Sequence, residues 1–155
     1  MKHERGAAIC IELAENSRLL STNGDNSRRD VIIRGEKGTF DLEAWFASLP
    51  NEQFEVAAIT IAELWHGVER ASEKLKARRE QYLRGVLALL PIIPYTEQTA
   101  YEHAQIWAKL ETSGRRIGYY DMVVGATALE RGSAVATFNK RHFAQITGLR
   151  VIEPT

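Results

Sequence analysis

The sequence predicts an α/β domain, a parallel sheet covered by helices. Three observations carry that prediction. Short apolar runs alternate with longer segments of helical period along most of the chain. The length, 155 residues, suits one domain with a real core and is too short for two independent ones. Hydrophobic residues at 45% and charged residues at 26% are ordinary for a globular protein.

The elements follow in order. Residues 1–30 form a divergent N-terminal segment, read as disordered or as a displaced leader on the domain 31–155. Within it "GAAICIELAENSRLL" has the pattern of one short amphipathic element, and "STNGDNSRRD" is polar turn material. From Val31 the pattern becomes regular. "VII" is a short apolar run before the turn "RGEKG". "FDLEAWFASL" (40–49) reads as a helix with Pro50 just past its end. "FEVAAIT" (54–60) reads as a strand running into the helix "IAELWHGVERA". A second helix spans "SEKLKARREQYLRGVLALL". "IIPY" (92–95) is a buried-strand candidate, and "TEQTAYEHAQIWAKLETSG" a helix capped by Thr96. A late helix opens at Tyr120 and stops at Gly132. "SAVATFN" (133–139) and "LRVIEP" (149–154) are the last strands.

Composition excludes several classes. Twenty basic residues balance twenty acidic ones, so polyanion binding must come from a local patch. Cys10 is the only cysteine, which rules out an intrachain disulfide and a cysteine-built zinc site. The four histidines lack metal-ligand spacing, and His66 and His103 read as packing or surface residues. No segment approaches the roughly 18 apolar residues of a membrane span. The run "AAICI" is too short for a signal peptide. A cytoplasmic protein with no membrane contact is expected.

Three polar positions stand out. Asp121 falls on the inward face of the late helix, with Val124, Gly125, Ala128 and Leu129. A charge there needs a partner, a proton or a cation. The alternative is that it satisfies free N–H groups at the helix start. Glu63 lies three residues after Thr60, the spacing of a capping box. It also stands near the C-terminal end of a predicted parallel strand, where such sheets place their ligand crevices. Asn139 follows the strand "AVATF", as a turn residue or as a ligand that orients water. Carboxylates converging in a crevice bind Mg²⁺ or Mn²⁺, because hard cations prefer oxygen.

From about Val31 onward the chain resembles the PIN-domain ribonucleases, and among them the VapC-type toxins of bacterial toxin–antitoxin pairs. The resemblance rests on "VIIRGEKG", "ITIAELWHGVERA", "IGYYDMVVGATALERG" and "VATFNKRHFAQITGLRVIEP", in that order. It implies a PIN-like domain with a central parallel sheet flanked by helices. It further implies an acidic cluster holding Mg²⁺ (or Mn²⁺), hydrolysis of RNA phosphodiester bonds by a metal-activated water, a homodimer and a small antitoxin partner. Glu63 and Asp121 match the family's acids, expected here as catalytic metal ligands. Asn139 matches a position held by Asp or Asn that orients the water or a second ion.

One departure accompanies it. The family carries an Asp-Thr-Ser-like stretch directly before the run matching "VII". Here those positions are Arg28, Arg29 and Asp30, preceded by the polar "NGDNS". Arg28 has the wrong sign for a metal ligand. Asp30 or Asp25 substitutes only if the backbone follows another path. A second reading is therefore a PIN-fold module that binds an antitoxin or RNA without cleaving it.

The remaining features are secondary. Lys74, Lys76, Arg78, Arg79 and Arg84 cluster on one helix, as an RNA contact or a solvated face. Arg115 and Arg116 lie just upstream of Asp121, well placed to hold a phosphate. Trp45, Trp65 and Trp107 read as core or dimer interface.

Overall fold

The computed structural model describes residues 8–11 and 31–155. Five parallel strands form one sheet in the order β3-β2-β1-β4-β5. They are β1 (Ala8–Ile11), β2 (Gln53–Ala57), β3 (Ile92–Ile93), β4 (Ala134–Ala136) and β5 (Arg150–Ile152). The helices are α1 (Val31–Glu36), α2 (Leu42–Ser48), α3 (Ala58–Glu69), α4 (Glu73–Leu87), α5 (Glu97–Thr112), α6 (Tyr119–Arg131) and α7 (Lys140–Phe143). The expected parallel sheet flanked by helices is what forms. Among the described residues no helix is long and apolar enough to cross a membrane.

The central strand comes from Ala8–Ile11, upstream of the boundary expected at residue 31. It pairs with β2 through Cys10↔Glu55 and with β4 through Cys10↔Val135. Ile9 and Ile11 enter one core with Val31, Ile32, Trp45, Val56 and Leu64. Cys10 points the other way, into a second core with Ile106, Val124, Val135 and Phe143. A strand covered on both faces needs apolar residues at every position, so it shows no in–out alternation. "VII" is not a strand: Val31 and Ile32 are buried on α1. Asp25, Arg28, Arg29 and Asp30 lie outside the described residues.

Local signals account for several helix ends. Asp41 caps α2, its Oδ1 accepting from Ala44 N at 2.9 Å. Thr96 and Thr99 cap α5 reciprocally. Gly132, at φ 66°, closes α6 in the left-handed conformation that glycine adopts without strain. β3 departs from its expectation: it is an edge strand, with Ile92 51% exposed.

A buried carboxylate on the sheet is held by an ion pair. Glu55, 4% exposed on β2, accepts from Arg131 Nε at 2.9 Å and from Ser133 Oγ at 2.7 Å. Arg131→Ala strands that carboxylate, at a cost of about 1–3 kcal/mol in urea unfolding. Arg84→Ala, which breaks the exposed pair with Glu80, should stay within about 0.5 kcal/mol. Equal effects would mean that burial of Glu55 does not set the cost.

Candidate active site

Strand order determines where a site can form. From β1 the chain moves outward through β2 to β3, then returns across the sheet to β4 and outward again to β5. β1 and β4 are thus neighbours whose connections leave in opposite directions. Open α/β sheets place their ligand sites at such a point, outside the carboxyl ends of the two strands.

The sequence-predicted residues lie on this edge. α3 begins directly at the end of β2 and carries Glu63 in its second turn. Asn139 follows β4 and is the N-cap residue of α7. Asp121, in the first turn of α6, meets His142 on α7, its Oδ2 lying 3.2 Å from the imidazole Nδ1. Since α7 follows β4, this contact pins the start of α6 to the same edge.

Asp121 is buried at 8% exposure. Gly118 is the N-cap of α6 and provides no side-chain cap bond. The described partner of the Asp121 carboxylate is His142, across the fold, rather than the helix's own N–H groups. The face expected for α6 is too narrow, because residues 121–128 are all buried. α6 lies between the sheet and α5, so it is apolar all round. One carboxylate in that setting is costly without compensation.

The capping box at Thr60 does not form. α3 begins at Ala58 after the N-cap Ala57, which places Thr60 inside the helix. Thr60, Leu64 and Val68, spaced by four, are its buried row. Glu63 is therefore half-buried in the second turn and is not a partner of a capping threonine. Asn139 is 8% exposed, and its side chain makes no cap bond to α7. Its N–H donates to Thr137 Oγ1 at 2.8 Å, which fixes the turn.

His142 is the residue that sequence reasoning missed. Its only linear signal is "NKRHF", three positions after Asn139; its partner is 21 residues away. His66 and His103 follow expectation, His66 exposed and His103 buried. Burial holds the His103 imidazole below the usual histidine range. Among the described residues no three His, Cys, Asp or Glu side chains cluster as a metal site. The donors on this edge are two carboxylates and an amide, oxygen chemistry that fits a hard divalent cation.

The basic helix resolves as a mostly solvated face. Lys76 pairs with Glu69, Arg79 with Glu36 and Arg84 with Glu80. Trp45 is core and Trp65 is half-buried beneath Arg84. Trp107, 49% exposed, is not core.

Comparison with known proteins agrees with this fold. The PIN domain family model matches residues 30–149. The chain is 32% identical to the tRNA(fMet)-specific endonuclease VapC of Salmonella typhimurium over 104 residues, 67% of this chain and 77% of that protein. It is 29% identical to ribonuclease VapC1 of Rickettsia felis over 123 residues, covering 79% and 90%. The crystal structure of VapBC2 from Rickettsia felis, bound to a promoter DNA fragment, superposes with a TM-score of 0.77 at 19% identity, covering 96% of this chain and 99% of that one. A parallel sheet with Asp121 at its switch-point edge and a family match across most of the chain lead to one conclusion: this chain belongs to the PIN domain family, as a VapC-like member.

Proposed function

We propose that this chain is the endoribonuclease toxin of a toxin–antitoxin pair, cleaving RNA phosphodiester bonds with Mg²⁺ or Mn²⁺. The observation that carries this reading is the buried Asp121, aimed at the carboxyl edge of the sheet and oriented by His142. Asp121 and Glu63 are the residues to hold the ion, and Asn139 orients the attacking water through its side-chain amide. When bound, the ion supplies positive charge to the phosphoryl oxygens and makes water a better nucleophile. His142 restricts the carboxylate of Asp121 to one orientation, as partners of metal ligands commonly do.

Arg28 favours the non-cleaving alternative only if its stretch follows the central strand. β1 ends at Ile11, and the sequence continues with Glu12. The centre of the sheet is thus already filled by β1. Two relatives named as VapC ribonucleases support RNA as substrate, and the VapBC2 assembly supports a small antitoxin partner. A homodimer fits the apolar surface beside edge strand β3, where Leu89 is 75% and Ile92 51% exposed. RNA as substrate and a single cysteine fit the cytoplasm.

The deciding experiment is cleavage of a mixed RNA pool with Mg²⁺, Mn²⁺ or EDTA, on wild type and Glu63→Gln. Metal-dependent cleavage is expected, falling about 10–100-fold in Glu63→Gln. The melting temperature of the variant should barely move, because glutamine keeps the side chain's length and a hydrogen-bonding oxygen. Cleavage at the wild-type rate would remove Glu63 from the site. Absence of cleavage by the wild type under every metal, with antitoxin binding intact, would establish the non-cleaving module.

A further inference from the structure

The two residues before Asp121 contrast with the eight that begin at it. Residues 121–128 are buried, yet Tyr119 is 56% and Tyr120 43% exposed. Their rings meet edge to face, with centroids 6.0 Å apart. Tyr119 also packs against the buried imidazole of His103, at 5.1 Å. His103 is held in turn by Tyr95, whose hydroxyl lies 3.0 Å from Nδ1. The pair is thus an anchored aromatic surface left open to solvent.

The same stretch carries Arg115 and Arg116, both exposed and in no ion pair among the described residues. Gly114, at φ 66°, turns the chain out of α5 ahead of them. Two guanidiniums and two phenol rings therefore stand within six residues of the buried carboxylate. Guanidinium groups recognise phosphate, and aromatic rings accept unstacked bases. A duplex keeps its bases stacked inward, so this pairing of chemistries suits a single strand. A second copy of the chain would also find apolar surface here, and the experiment below separates that occupant from RNA.

We propose that Tyr119 and Tyr120, with Arg115 and Arg116, form a ledge that holds single-stranded RNA beside Asp121. Bases flanking the scissile bond stack on the tyrosines, and the arginines take the adjoining phosphates. This rests on the ribonuclease reading above and adds the residues that position the substrate.

The test measures binding rather than turnover, in the Asp121→Asn background so that RNA stays intact. A fluorescent mixed-sequence 12-mer is titrated as a single strand and as a duplex. Tyr120→Leu should weaken single-strand binding about tenfold, and Tyr120→Phe should restore it. Tyr119→Leu is read beside it, since loss of its His103 contact can also cost stability; Tyr120 touches no such anchor. Arg115→Gln with Arg116→Gln should flatten the salt dependence of log K by about 1.4. Tighter binding of the duplex, or equal binding by Tyr120→Leu, overturns the ledge while leaving the ribonuclease reading intact. Loss of dimerisation in Tyr120→Leu by light scattering, with RNA binding unchanged, assigns the face to a second copy instead. A protein that binds neither RNA form overturns both readings.

Discussion

Asp121→Asn should abolish metal-dependent RNA cleavage while leaving the protein folded. Asparagine keeps the shape of the side chain and an oxygen facing His142, 3.2 Å away in the wild type. It removes the only ionisable side chain among the buried residues 121–128 of α6. Loss of an outer partner of a metal ligand commonly costs about 10–100-fold. Loss of a ligating charge should cost at least that much in Mn²⁺ affinity and in rate. Stability changes far less, because a carboxylate in the first turn of a helix contributes only about 0.3–1 kcal/mol through the helix dipole. Calorimetric titration with Mn²⁺, rate measurement and thermal melting separate these effects. Equal Mn²⁺ affinity in variant and wild type would remove Asp121 from the metal site.

The largest effect on stability should come from Phe143→Ala. Phe143 is fully buried and is the largest of the fully buried side chains among the described residues. Truncating such a ring costs about 3–5 kcal/mol, in lost transfer energy and in the cavity left behind. For a chain of this length that corresponds to a fall of roughly 6–20 °C in melting temperature. The consequence reaches the site. α7 has four residues and no side-chain cap, so it cannot persist on local hydrogen bonds alone. Phe143 is its anchor in the core, and His142 is the adjacent residue. Activity should therefore fall in Phe143→Ala even below its melting temperature, and Phe143→Leu should recover most of both losses. A cost under about 1 kcal/mol would mean that the neighbouring side chains collapse into the space.

What the sequence by itself determined were the features written in local chemistry. Pro50 lies just past α2, Thr96 opens α5, and Gly132 ends α6. Caps and stops act within a turn of the residue that makes them, so they can be read without a partner. The acid at Asp121 was legible for a related reason, as a single charge in an apolar run. Its family context came from four stretches in fixed order.

The tertiary structure decided the rest. "AICI" is only four residues, and its status as central strand depends on β2 and β4, which lie more than forty and a hundred residues along the chain. No local pattern distinguishes a strand buried on both faces from any other short apolar run. "AAIT" likewise fits strand or helix until Thr60, Leu64 and Val68 are seen buried in one row. The pairing of Asp121 with His142 joins two short elements that meet only because α6 and β4 pack side by side. Such contacts gain their energy from burial that the whole fold creates, which is why only the fold could place them.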